Sequence, residues 1–242
     1  MRTFRADLHI HTCLSPCADL LMSPRHIAAA ARQKELDVVG ICDHNSAENA
    51  AAVAEAAGRL GIRALPGLEV TSKEVVHILA LFDELEAALS LQEQIYASLP
   101  GENNEEIFGL QVVASADDEV LGTSGRFLAG ATVLSLADVI GAVHDLRGLA
   151  VASHVDREGF GIIGQLGFIP ADLPLDALEI SRRLTFQEGR AAFGRTRPLI
   201  TGSDAHFLEE IGLAATCFQL EAATVREIGL ALRGLGERLV LS

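Results

Sequence analysis

Cysteine is scarce in this 242-residue chain: Cys13, Cys17, Cys42 and Cys217 are the only four, and no two form a C-x-x-C pair. A disulfide framework is excluded, and the thiols read as reduced, with Cys13 and Cys17 left open as extra metal ligands. Positive charge is scarce too: 19 Lys and Arg stand against 33 Asp and Glu, a net charge of −14. Proteins that grip duplex nucleic acid normally present a basic face, so a duplex partner is not expected. Bound cations would not show in that sum. Long apolar runs are missing as well; segments such as Val75–Phe82 stop far short of the ~20 residues that cross a bilayer. Near the N-terminus Asp7 stands where a signal peptide would have its apolar core. The expectation is a soluble, cytoplasmic protein without a membrane partner.

What is present is an ample core, with hydrophobic residues at 49%, enough for a single domain that needs no staple. Short β-rich segments alternate with helical ones, the pattern of a parallel sheet or barrel. Strands are predicted at Phe4–Ile10, Asp37–Cys42, Ile62–Val70, Val75–Phe82, Leu149–Ser153, Ala177–Ser181 and Pro198–Gly202. Helices are predicted from Pro24 behind a Ser23 cap, over Ala47–Leu60 behind Ser46, over Leu136–Leu146 behind Ser135, and over Val225–Leu235 behind Thr224. Between Phe82 and Ser135 the rhythm breaks, and residues 83–134 read as an insertion after the fourth strand, helical over Asp83–Leu99. In a parallel barrel this insertion would begin on the site face. Its polar stretch Gly101–Glu106 would then overhang the site as a lid, unless it serves as a dimer contact or a packing adornment.

The eight histidines carry most of the information. His26, early in a helix, and His144, near a helix end, read as structural. The others fall on or beside strands. His9 and His11 stand two apart in Asp7-Leu8-His9-Ile10-His11, and Asp204 and His206 repeat the spacing in Gly202-Ser203-Asp204-Ala205-His206. Side chains two apart on a strand share a face and can meet one ion. His44 follows the second strand, Glu69 ends Leu65–Glu69, His77 lies within Val75–Leu79, and His154 follows the fifth strand. Any one of these alone would read as a core or surface residue. Their recurrence on successive strands, mostly at one end, points to a metal cluster.

These motifs, from Asp7-Leu8-His9-Ile10-His11-Thr12 through Cys42-Asp43-His44-Asn45, Gly67-Leu68-Glu69, His77 and Ser153-His154 to Gly202–His206, resemble those of the PHP (polymerase and histidinol phosphatase) domain family. The resemblance implies an α/β fold, a distorted (β/α)7 TIM-like barrel. It also implies two to three divalent ions (Zn, Mn or Fe) and hydrolysis of phosphate esters by a metal-activated water. One ion would take His9, His11, Glu69 and Asp204. A second would share Glu69 and add His77 and His154, and a third would take Asp19, His44 and His206. Asp19 stands eight residues after His11, where the family pattern has an acid about five residues on.

Asp7 and Asp43 lie close in sequence to ligand histidines and are expected to orient imidazoles. Arg157 and Arg182 are expected to bind phosphate oxygens. No phosphate-cradling glycine loop and no Ser or Cys nucleophile motif is present, which favours direct attack by water. The expected substrate is a small phosphomonoester, a nucleotide or a short single-stranded oligonucleotide. The alternatives are an amidohydrolase-type metal hydrolase, whose barrels also open with H-x-H, and a non-catalytic PHP structural module.

Overall fold

In a computed structural model that describes residues 1–194 and 197–241, the chain folds as a mixed α/β barrel. Its elements are, in chain order, β1 (Arg2–Ile10), α1 (Pro24–Gln33), β2 (Val38–Ile41), α2 (Ala50–Gly58), β3 (Arg63–Thr71), β4 (His77–Leu81), α3 (Leu85–Ser98) and α4 (Glu105–Phe108). Then follow β5 (Val112–Ala114), β6 (Val120–Thr123), α5 (Leu136–Asp145), β7 (Leu149–Ala152), α6 (Ile162–Leu166), β8 (Ala177–Ile180) and α7 (Phe186–Ala192). The last are β9 (Leu199–Thr201), β10 (Thr216–Leu220), α8 (Val225–Leu232) and β11 (Leu239–Val240). The large sheet runs β11-β10-β1-β2-β3-β4-β7-β8-β9. It curls until the chain after β9 meets β1: His11 donates its N–H to the Ala205 carbonyl at 3.0 Å. Strands β1–β4 and β7–β9 thus form a nearly closed ring, the antiparallel β10 and β11 flank it, and β5 and β6 pair in a separate two-stranded sheet.

All the strands expected from sequence form. One differs in direction: β4 pairs antiparallel with both β3 and β7. Its first residue, His77, therefore lies where the parallel strands end, and its last lies at the opposite rim. Segment 83–134 consequently starts away from the site rather than on its face. Asp83 accepts the N–H of Val225 at 2.7 Å and so caps α8, which closes the lower barrel. The segment climbs through α3 to the mouth, where Asn45 Nδ2 donates to the carbonyls of Leu128 (2.7 Å) and Gly130 (2.8 Å).

The lower barrel is filled by Phe4, Leu8, Leu65, Leu81, Val151 and Phe218, all buried and in one cluster. A second layer packs strand backs against the helices, as where Ile10 and Ile41 meet Ile27 of α1 and Val53 of α2. Ser135 and Asp138 form a capping box that starts α5 as its sequence predicts. Ser46 does not cap α2, which begins three residues later behind Asn49; its hydroxyl instead meets Tyr96 at 2.8 Å. No helix among the described residues is long and apolar enough to cross a membrane.

Candidate metal centre

A β-bulge starts the site. Phe4, Ala6 and Leu8 of β1 belong to the inner cluster, whereas Ile10 belongs to the outer one. Regular alternation would keep all four on one face. The β1–β2 register shifts between Asp7 and Ile10, and a bulge of this kind re-aims side chains. His9 and His11 thereby turn into the barrel mouth. Two other contributors, His154 (φ 29°) and Asp204 (φ 50°), take left-handed conformations at the ends of their strands. Such strain costs about 1–3 kcal/mol per residue and persists where surrounding structure enforces it.

Glu69 is the hub. Its Oε1 lies 3.3 Å from His9 Nε2, 2.9 Å from His77 Nδ1 and 3.2 Å from His154 Nε2. Its Oε2 lies 3.4 Å from His11 Nε2 and 3.1 Å from His44 Nδ1. Asp204 Oδ1 adds contacts of 3.2 Å to His9 Nε2 and 3.1 Å to His11 Nε2. Three groups have ligand atoms close enough to share a cation: His9, His11, Glu69 and Asp204; His44, Glu69 and His77; and His11, His44 and His206. The first is the implied quartet in full. The other two differ from expectation, with His44 beside His77 where His154 was expected, and His11 beside His44 and His206 where Asp19 was expected. His154 still touches the hub. Asp19 does not join: its carboxylate takes the Leu21 N–H at 2.8 Å, closing a local turn.

The cluster fits divalent cations on its own geometry. Glu69 Oε1, His44 Nδ1 and His77 Nδ1 are buried without a hydrogen bond, although His77 Nδ1 and Glu69 Oε1 stand only 2.9 Å apart. The close approach of His77 Nδ1 to Glu69 Oε1 lacks hydrogen-bond alignment and leaves both atoms unsatisfied. Unpartnered buried groups of this kind are costly unless something else satisfies them.

Electrostatics agree. Burial alone would depress the His11 imidazolium, yet hydrogen bonds and charge from Asp204 and Glu69 push it up to about 9. Burial likewise opposes the imidazolium of His9, but Glu179, Asp204 and Glu69 hold it well above the usual value. Burial would raise both hub carboxylates, and the facing histidines instead keep Glu69 and Asp204 well below the ordinary range. His77 and His206 go the other way, pushed by burial down to about 4 and about 3.

The orienting groups are not those expected. Asp7 touches no imidazole; it accepts the N–H groups of Ser203 (3.0 Å) and Gly212 (2.8 Å), tying the chain after β9 to β1. Asp43 acts one residue removed. It accepts the Ser15 hydroxyl at 2.7 Å, and Ser15 Oγ in turn lies 3.0 Å from His11 Nδ1. Since that hydroxyl donates to Asp43, it accepts from His11 Nδ1–H, which leaves Nε2 as the free nitrogen. Glu179 of β8, fully buried, plays this part for His9: its Oε1 lies 3.0 Å from Nδ1. Gly202 makes room for it, because a Cβ there would stand 2.5 Å from Glu179 Oε2. Glu179 belongs to no motif, and its signal in the sequence is an acid within the buried strand Ala177–Ile180, which must have a partner.

Arg157 donates Nη1 to Asp204 Oδ2 at 2.5 Å and borders the cavity over the cluster, while its Nε is buried without a partner. Arg182 does not border that cavity; it pairs with Glu210 at 2.6 Å in an exposed position. The cavity has a volume of about 290 Å³ and is lined by Cys17, Ala129 and Phe160 besides the cluster residues. None of Gly101–Glu106 lines it. Cys13 is buried and lies against the Val112 carbonyl.

A family model for the PHP domain matches residues 7–155, more than half of the chain. The chain belongs to the PHP domain family. A model for a PHP-associated region matches residues 186–234. Family membership and the cluster give this chain the ligand set of a PHP-type metal centre. No curated protein matches the chain. Among solved structures, the lesion-specific endonuclease Q of Pyrococcus furiosus is similar over 99% of this PHP chain and 58% of its own, with TM-score 0.75 and 20% identity. Endonuclease Q in complex with a 27-mer duplex bearing an abasic lesion gives TM-score 0.70 at 19% identity, over 99% of this chain and 59% of that one. This chain therefore spans just under three fifths of those proteins. A provisionally assigned metal-dependent phosphoesterase from Bifidobacterium adolescentis matches at TM-score 0.55 and 21% identity, covering 83% and 87% of the two chains. An amidohydrolase from Chromobacterium violaceum matches at TM-score 0.57 and 20% identity, covering 86% and 89%.

Proposed function

We propose that the protein hydrolyses phosphate esters of small molecules or nucleotides, using water held at a cluster of two to three divalent ions. The observation that carries this reading is the Glu69 carboxylate, with five imidazole nitrogens at 2.9–3.4 Å, in one cavity with Asp204 and Arg157. In this reading His9, His11, Glu69 and Asp204 hold one ion. His77 and His154 would serve a second through Glu69, and His44 and His206 would serve a third. Bound divalent ions would acidify a water and neutralise phosphoryl oxygens.

The chain's own groups do the rest. Glu179 and the Asp43–Ser15 pair fix the His9 and His11 rings with Nε2 turned inward. Arg157 pins Asp204 through Nη1 and lines the cavity, where its guanidinium would meet an oxygen of the substrate. The cavity lies at the small end of the roughly 300–1,000 Å³ usual for ligand pockets, which suits a compact phosphoester.

Scission of a nucleic-acid strand is the second reading, favoured by the likeness to endonuclease Q along nearly the whole chain. The net charge of −14 weighs against long duplexes. A hydrolysis screen with added manganese or zinc decides between them, using phosphomonoesters, single-stranded oligonucleotides and duplexes with and without an abasic site. Phosphate release from monoesters supports the first reading, and duplex cleavage alone supports the second. Amide or deaminase activity without either would return the protein to the amidohydrolase alternative.

A further inference from the structure

Phe160 stands out in the cavity wall. It is the one aromatic residue other than histidine that lines the cavity, and it is 43% exposed. Its ring stacks on the His77 imidazole, with centroids 4.4 Å apart and planes inclined by 18°. Its carbonyl accepts the His77 N–H at 2.9 Å, so backbone and ring are both registered to the cluster. Its φ of 59° is left-handed, a conformation that disfavours a bulky side chain and suits glycine. Glycines stand on both sides, at 159 and 161, yet the strained position itself carries phenylalanine. Strain retained at a ligand cavity points to a use for the side chain.

The loop around it is stapled. Asp156 accepts the Ser181 N–H and hydroxyl, both at 2.7 Å, and a Cβ on Gly161 would meet the Arg157 carbonyl at 2.4 Å. One rigid loop thus presents His154, Arg157 and Phe160 to the same cavity. Together these offer a place for an anionic phosphoryl group and, beside it, an apolar flat surface.

We propose that Phe160 forms a stacking subsite for a planar ring of the substrate, so that the preferred phosphoesters carry a nucleobase or similar aromatic group. This rests on the phosphoester reading for its reaction but not for its binding. One ring face lies on His77, and the other is available to a ligand. Stacking of a base on an aromatic side chain contributes about 1–3 kcal/mol, or roughly five- to 150-fold in affinity.

The chain contains no tryptophan and a single tyrosine, so Phe160→Trp places a sole tryptophan, excited selectively over tyrosine, at the subsite. Adenosine 5′-monophosphate should quench it saturably, and ribose 5-phosphate and inorganic phosphate should not. In parallel, Phe160→Leu should lower the ratio of affinities for adenosine 5′-monophosphate over ribose 5-phosphate by about tenfold relative to wild type. Equal responses to the two ligands, or equal losses for both in the leucine variant, would overturn the subsite and leave Phe160 as a prop for His77. Base-specific quenching without phosphate release would keep the subsite and reject the phosphoester reading. Phosphate release without base preference would do the reverse.

Discussion

The two ends of the barrel are built from the same strands and answer to different physics. In the lower half Phe4, Leu65, Leu81 and Phe218 fill the interior, and the helix that closes it has its first N–H capped by Asp83. At the mouth, six imidazoles and two carboxylates crowd together, with Glu69 Oε1, His44 Nδ1, His77 Nδ1 and His154 Nδ1 buried and unpartnered. One end is at its energetic best as it stands. The other leaves buried ligand atoms that bound cations would satisfy, and it draws on the lower half for the stability that holds it in place.

The comparison can be broken at either end. The largest effect is expected at the mouth: Asp204→Ala or His11→Ala should cost several orders of magnitude in phosphate release and lower metal content, because the nucleophile depends on the cluster. Steady-state assays with elemental analysis check this. Below, Phe218→Ala should cost about 3–5 kcal/mol of stability in chemical denaturation, while metal per folded chain is kept. Glu179→Gln removes the charge behind His9 and should weaken metal affinity by about 10–100-fold, read from competition with a chromophoric chelator.

A smaller effect concerns protons. With the His11 imidazolium raised to about 9, metal binding near pH 7 must displace its proton, so affinity should climb with pH and level off above that value. Calorimetry in buffers of different ionisation enthalpy would detect the released protons. In the metal-free fold the same proton is stabilising: its contribution is full below the unfolded value of 6.5 and is lost as pH rises through about 9. Smallest of all, Asp19→Asn should leave metal content near wild type, since that carboxylate serves a local turn.

Much of this contrast is legible in sequence, and the reasons for the rest are specific. The seven ring strands follow from their short apolar runs, and His9, His11, Glu69 and Asp204 follow from motifs that recur at strand ends. The direction of β4 does not follow, because an apolar run reads the same in either direction, and the starting point of segment 83–134 depends on that direction. The β1 bulge is equally silent, since it changes parity without changing composition. Helix α7 is short and has only its start written in the sequence, the Thr185 and Glu188 capping box that the structure forms. Ser15 as the acceptor for His11, and Asp43 behind it, depend on a loop path that no spacing rule gives. The place of Arg182 after β8 suggests the site, but its partner Glu210 comes from a distant turn that spacing does not reveal.

The most direct test of the account is metal stoichiometry, measured by elemental analysis after reconstitution with manganese or zinc, in the wild type and in Glu69→Gln. A carboxylate that joins the ligand groups predicts two to three equivalents in the wild type and a loss of at least one in the variant. Fewer than one equivalent in the wild type, or the same content in both, would contradict it.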